Sequence, residues 1–377
     1  MSEFAQQLIA WRRELHQHPE LSGEEMATTA RLRQWLAQSG LHVLDLPLRT
    51  GVVAQVGQGE PLIALRADID ALPIDEQSGV AFSSLNPGVM HACGHDMHTS
   101  AILGAAQLLK ARERELPGRV RIIFQPAEEN FTGAKAIIRA GALKEVSAIF
   151  GMHNEPGLPV GVFATRPGAF YANVDRFVIH IKGKGAHAAR PQEGKDAIVL
   201  ATQLVGALQT IASRDVSTLH SVVVSVTRIQ GGNTWNVLPE TVELEGTVRT
   251  HDSEVRSQVA RRLRQIAAGF AAAFDAQITI DWHDGPPALV NDPQWAAFSE
   301  RIAREAGLET RPAELHMGGE DFAIYLQQLP GAFVSLGSAS ACGLHHPGFN
   351  PDEALLESAA RYFARLAENA LHQLRQR

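Results

Sequence analysis

Cysteine is nearly absent from this sequence: Cys93 and Cys342 are the only two in 377 residues. Two thiols cannot supply a disulfide framework, so the fold is not organised by cross-links. A free thiol set among histidines suits a reducing compartment. Long apolar runs are also missing. No stretch of about 18 apolar residues occurs, so no membrane span and no membrane partner are expected. There is no basic surplus. The net charge of −7 argues against nucleic acid as a partner and suits a small-molecule enzyme. The opening segment, MSEFAQQLIAWRRELHQHPE, has neither a long apolar core nor a small-residue cleavage site. No signal peptide is expected, and the cytoplasm is the expected location. Repeats and low-complexity segments are lacking.

What remains is a globular composition, 45% hydrophobic and 20% charged. A chain of this length exceeds the size at which one core keeps growing, so two domains are expected. The first third alternates strand and helix signals. Val52 to Val56, Leu62 to Ala67, Val120 to Gln125 and Ala148 to Met152 read as strands. Thr99 to Arg114 has apolar residues at helical spacing, and Thr132 to Arg139 reads as a helix opened by a capping threonine. This alternation predicts an α/β domain with a mostly parallel sheet.

The middle of the chain changes character. Arg176 to Ile181, Ser221 to Ile229, Thr241 to Arg249 and Ala276 to Trp282 read as strands. Helices are expected at Asp196 to Ala212 and Asp252 to Phe274. The order β-α-β-β-α-β is that of a ferredoxin-like unit. Helix and strand signals then resume, at Pro293 to Ala306, Ala332 to Leu336 and Asp352 to Gln373. The expected organisation is a discontinuous catalytic domain, 1–175 and 290–377, interrupted by a lid or dimerisation domain at 176–289.

The densest chemical signal is HACGHDMH, His91 to His98, read as lying just before a helix. Thiolate, imidazole and carboxylate are the side chains that bind borderline divalent metals. A free cysteine with structural histidines is the plainer alternative for one such motif. Other donors weigh against it. Asp68 and Asp70 follow one strand, Glu128 and Glu129 follow another through Pro126, His153 ends a third, and His345 and His346 follow the last. All lie just past the carboxyl ends of expected strands, the edge at which open α/β sheets bind ligands. Glu128 and Glu129 cannot both point the same way from an extended segment, because side chains alternate there. One can bind metal while the other moves a proton. Asp68 and Asp70 have turn or helix capping as an alternative role, and His16 and His18 read as structural.

With these residues in place, the chain resembles the aminoacylase, hippurate hydrolase and indoleacetyl-amino-acid hydrolase family of dinuclear metal amidohydrolases. The matching stretches are RRELHQHPELSGEE, RADIDALPI, MHACGHDMH, FQPAEE, GMHNEP, GKGAHAARP, NVLPE, GTVRT, GGEDFAIY and LHHPGF, running from Arg12 to Phe349. The resemblance implies two divalent ions per subunit held by Cys93, His95, Glu129, His153 and His345, with Cys93 at the bridging position. His346 is the alternative to His345. It implies Glu128 as general base and acid, and Asp68 and Asp70 as groups orienting ligand histidines. In similar enzymes the loop histidine, here His187, reaches the partner subunit's site and stabilises the oxyanion, which implies a homodimer. Asn236 and Arg249 match substrate-side positions. Cys342 has no counterpart and reads as a free thiol. One thiolate favours zinc or cobalt, while carboxylates and imidazoles also admit manganese or nickel.

The expected reaction is hydrolysis of N-acyl amino acids to a carboxylic acid and a free amino acid. Three alternatives stay open at this point. They are a cysteine amidase with Cys93 as nucleophile, a dipeptidase or carboxypeptidase on the same scaffold, and a metal-binding protein without activity.

Overall fold

The computed structural model describes residues 1–376. The chain forms two compact units: Met1–Gly168 with Val290–Glu314 and the segment from Asp321 onward, and Ala169–Leu289 with Leu315–Glu320. The second unit thus begins at Ala169 rather than at 176, and it also recruits a short segment from the C-terminal part of the chain.

The larger unit is built on an eight-stranded sheet. Its order is His42–Val43, Val52–Gly57, Arg119–Gln125, Leu62–Asp68, Ala148–Glu155, Gly331–Gly337, Val162–Thr165 and Glu309–Pro312. The central strands 119–125, 62–68, 148–155 and 331–337 are mutually parallel. The sheet is mixed toward its edges, where 52–57 and 162–165 pair antiparallel with their inner neighbours. Strand Leu62–Asp68 is buried at every position, as a central parallel strand covered on both faces must be.

Helices supply that cover. Leu355–Arg375 buries Leu356, Ala359, Ala360, Phe363, Leu366, Ala367, Ala370 and Leu371, spacings that make one continuous apolar stripe. It shares a core with the helix His95–Ala111 and the sheet. Two N-terminal helices, Glu3–Gln17 and Met26–Gln38, also belong to this unit.

Local chemistry sets the element ends. Ser2 caps the first helix, accepting the Ala5 N–H at 3.0 Å. Asp292 accepts from Gln294 and Trp295 N–H groups ahead of Pro293, a residue suited to the first helical position. Thr132 stands ahead of Gly133–Arg139, but its hydroxyl donates to Asn130 instead of capping. The helix after HACGHDMH starts earlier than Thr99. Gly94, at φ 89°, turns the chain so that His95, Asp96 and His98 occupy the first helical turn.

The smaller unit is a four-stranded antiparallel sheet in the order Val222–Gly231, Thr241–Thr250, Asn173–Lys182, Gln277–Asp284. Helices Ala197–Thr210 and Ser253–Phe274 share one apolar core with this sheet. That order and the two helices make the ferredoxin-like β-α-β-β-α-β arrangement. Among the described residues one helical stretch, Ala197–Asp215, is long and apolar enough by composition to cross a membrane. Leu200, Ala201, Leu204 and Leu208 account for much of that character by packing into the unit's core.

Candidate metal centre

The parallel strands deliver the donors to one edge of the large sheet. Asp68 ends strand Leu62–Asp68, the Glu128–Glu129 loop follows Arg119–Gln125, and His345 lies beyond Gly331–Gly337. His153 sits inside its strand, which continues to Glu155. Cys93 and His95 flank Gly94. A Cβ at Gly94 would collide with the Asn154 amide, so both the left-handed turn and the close approach require glycine. Asn154 Nδ2 then donates to the Cys93 carbonyl at 2.6 Å, tying the cysteine turn to the strand of His153.

Three sets of donor atoms cluster here: Cys93, His95 and His153; Cys93, Glu129 and His345; and His95, Glu128 and Glu129. Cys93 Sγ lies 3.4 Å from His153 Nε2. Glu129 Oε1 lies 3.8 Å from His95 Nε2 and 3.4 Å from His345 Nε2. His95 Nε2 and Glu129 Oε1 are buried without a hydrogen-bond partner. Buried polar atoms are normally paired, so two facing orphans mark a place where another partner fits. Thiolate, imidazole and carboxylate together suit a borderline divalent cation.

Two histidines of the cluster, His95 and His153, are oriented from behind. His95 donates Nδ1–H to the Asp70 carbonyl at 2.9 Å and to Asp70 Oδ1 at 3.2 Å. His153 donates Nδ1–H to the Asn154 carbonyl at 2.7 Å. Each therefore turns Nε2 toward the cluster. Asp70 Oδ2 also accepts the Glu129 N–H at 3.0 Å and the Ser22 hydroxyl at 2.7 Å.

Asp68 behaves differently. Its short hydrogen bond is to His98 rather than to His95 or His153: it accepts the His98 Nδ1–H at 2.6 Å. His98 Nε2 in turn accepts the Asn154 N–H at 2.9 Å. Asp68 and His98 also form a close group with His95, but their hydrogen bonds to each other, to Arg66 and to Asn154 already satisfy them.

Electrostatics at this edge is dominated by acids. Burial and the nearby Glu129, Glu128 and Asp68 push the Cys93 thiol well above its ordinary range. Burial opposes a charge on His95, yet Asp68, Asp70 and Glu129 outweigh it and push that imidazole up to about 10. The site thus draws in positive charge, here a proton and in a metal-loaded protein a cation. Beneath it, buried Arg66 donates to Asp68 at 2.7 Å and to Asp321 at 2.8 Å. Burial raises both carboxyls' cost of ionising. Asp68, with His95, Arg66 and His98 around it, is held well below the usual range, whereas Asp321 ends up at about 6.

Of the two adjacent histidines, His345 joins Cys93 and Glu129. His346 Nδ1 accepts the Gly348 N–H at 3.0 Å. His345 has φ 62°, and its N–H is held by the Ala92 carbonyl at 2.8 Å. His16 is buried beside this region, bonded to Asp96 at 2.8 Å and Glu76 at 3.1 Å, while His18 bonds the Glu14 carbonyl. Asp96 also takes Arg12 Nε–H at 2.8 Å. Cys342 is a half-buried free thiol.

In the smaller unit His187 and Asn236 share one ribbon. Val237 pairs with His187, and the Asn236 carbonyl accepts the Ala188 N–H at 3.0 Å. His187 is exposed and Asn236 half-buried. Arg249 stands apart on strand Thr241–Thr250, half-buried, with Nε donating to Thr247 at 3.1 Å.

Glu25, Asn154, His98 and Asp321 lie within the matched motifs, but nothing in those motifs assigns them a role. Their partners lie far along the chain, so only the folded geometry reveals them.

The sequence profile of peptidase family M20/M25/M40 matches residues 64–369. The chain is 48% identical over 367 residues to an N-acetylcysteine deacetylase of Bacillus subtilis, covering 97% of each chain. It is 38% identical to the IAA-amino acid hydrolase ILR1-like 4 of Arabidopsis thaliana, covering 99% of this chain and 88% of that one. A Bacillus subtilis crystal structure described as a dinuclear metal binding peptidase from the M20 family is 46% identical. It covers 98% of this chain and 99% of that one, with a TM-score of 0.89. Fold, donor cluster and likeness agree, and the chain belongs to peptidase family M20/M25/M40.

Proposed function

We propose that this protein hydrolyses the amide bond of N-acyl amino acids, using two divalent ions held by Cys93, His95, Glu129, His153 and His345. One observation carries the reading. Five ligand-type side chains and an adjacent carboxylate, Glu128, converge on one edge of a parallel sheet, with orphaned donor atoms facing one another. The named activities of two relatives, an N-acetylcysteine deacetylase and an IAA-amino acid hydrolase, support an acyl group on an amino-acid nitrogen as the target.

Bound divalent ions supply Lewis acidity toward the scissile carbonyl and make the attacking water more acidic. Glu128 takes the proton of that water as the C–O bond forms. It then delivers the proton to the amino nitrogen as the C–N bond breaks, leaving a carboxylic acid and a free amino acid. Asp70 holds His95 and the Glu129 backbone in place. His187 and Asn236 donate to the developing oxyanion, and Arg249 pairs with the amino-acid carboxylate. Zinc or cobalt suits the thiolate; manganese or nickel suits the remaining donors.

The reading includes a homodimer in which His187 serves the partner's site. Strand Val222–Gly231 is an edge of its sheet, and Ile229 on it is exposed. Ile198 and Val199 on helix Ala197–Thr210 are exposed as well. An open edge with apolar neighbours favours pairing with a second copy.

The deciding assay offers hippurate, N-acetyl and indoleacetyl amino acids beside dipeptides to metal-free protein with each metal added back. Cleavage of the acyl amino acids, lost on chelation and restored by metal, is expected. Preferential cleavage of dipeptides, or turnover that resists chelation and stops on thiol alkylation, overturns the reading.

A further inference from the structure

The loop that carries Glu128 and Glu129 is conformationally expensive. It runs from Pro126 to Thr132, between strand Arg119–Gln125 and helix Gly133–Arg139. Two of its non-glycine residues have positive φ, Ala127 at 52° and Phe131 at 60°. Such geometry persists only where surrounding contacts over-determine it. Part of the support is internal: the N–H groups of Thr132 and Gly133 both donate to the Ala127 carbonyl, at 3.2 and 3.0 Å.

The rest comes from two buried carboxylates that the proposed reaction does not use. Glu25 Oε1 accepts the Ala127 N–H at 2.8 Å, from the start of helix Met26–Gln38. It also accepts the Gly23 N–H at 2.8 Å, which fixes its own position. Asp321 accepts the Gln125 side-chain amide and the Ala134 N–H, each at 2.9 Å, so it grips the segment on both sides of the loop. Its own N–H donates to Glu128 Oε1 at 3.3 Å, and Arg66 anchors its carboxylate. Burial raises the Glu25 carboxyl above its ordinary range, against the accepted N–H bonds, which act to lower it.

Ala127 immediately precedes Glu128, with its N–H held by Glu25 and its carbonyl by Thr132 and Gly133, so its backbone orientation sets where the Glu128 carboxylate points. We propose that Glu25 and Asp321 are positioning residues, which lock the strained loop so that Glu128 meets the attacking water in a productive direction. The inference rests on Glu128 acting as the base.

The experiment compares Glu25→Ala, Glu25→Gln, Asp321→Asn and Glu128→Gln, reading kcat, KM, bound metal and thermal stability separately. Glu25→Ala is expected to lower kcat about 10- to 100-fold, the usual loss for a misaligned catalytic group. KM and metal content stay close to those of the parent. Glu25→Gln, whose amide oxygen still accepts the Ala127 N–H, recovers most of the rate. Asp321→Asn, which disturbs the grip at the other end, lowers kcat with KM and metal retained. It serves as the independent measurement if Glu25→Ala does not fold. Parent-like kcat in Glu25→Ala beside an inactive Glu128→Gln overturns the positioning role alone. So does failure of Glu25→Gln to restore the rate. An active Glu128→Gln instead removes the base assignment, and the positioning role with it.

Discussion

His95 and Asp70 are joined twice: the imidazole Nδ1–H reaches the Asp70 backbone carbonyl at 2.9 Å and its carboxylate at 3.2 Å. The second carboxylate oxygen takes the Glu129 N–H. One side chain thus aims two expected ligands from behind, and its removal should be felt at the metal before it is felt in the chemistry. Asp70→Asn is expected to weaken metal binding about 10- to 100-fold, the usual effect of losing such a partner. Titration against a competing chelator measures it. Most of the rate should return at saturating metal, and unchanged affinity would contradict the role.

Glu128 is placed to shuttle a proton. Glu128→Gln should lower kcat about 10²- to 10⁴-fold, the range for losing a general base. Metal content by elemental analysis should match the parent. Co-loss of one metal ion would make Glu128 a ligand instead.

Gly94 combines φ 89° with a Cβ position already filled by the Asn154 amide. Gly94→Ala is expected to destabilise the metal-free protein by about 1–2 kcal/mol from the left-handed backbone alone, with further loss from the collision. Urea unfolding measures the difference. The metal-loaded variant should also hold its ions more weakly, because Cys93 and His95 diverge from that residue.

Acid stability should report on His91. Burial first, and then the neighbouring charge of His16, lower its pKa to about 4 from an ordinary 6.5, outweighing the pull of Asp96. A neutral buried imidazole contributes stability above the unfolded value and loses it as pH falls from 6.5 through 4. The loss is on the order of 3 kcal/mol at full protonation. His91→Phe should therefore flatten the acid limb between those values, seen in urea midpoints taken at pH 7 and pH 4.5. An acid limb as steep as the parent's would show that other groups carry it.

Much of the catalytic framework was legible because buried parallel strands leave uninterrupted apolar runs. Leu62–Asp68 and Ala148–Glu155 are of this kind, and donors sitting just after such runs stand out. The ferredoxin-like order was readable from alternating strands in the same way. What resisted reading acts at a distance and through the backbone. Glu25 meets Ala127 across 102 positions, and Gln125 meets Asp321 across 196. No periodicity encodes such contacts. Asp68 was expected behind a ligand histidine but holds His98, because the helix begins at His95 and turns His98 inward on its first turn. The first helix has a plain pattern as well: Leu8, Trp11 and Leu15 form a buried stripe after a capping Ser2.

The discontinuity of the larger unit has a consequence for biosynthesis. Cys93, His95, Glu129 and His153 are all made before residue 169, yet His345 follows the whole of Ala169–Leu289. The whole of a second unit, with a core of its own, is therefore synthesised before the last expected donor exists. A chain interrupted in that interval carries four of the expected donors but never the full set, so closure of the centre waits on a segment made after the second unit.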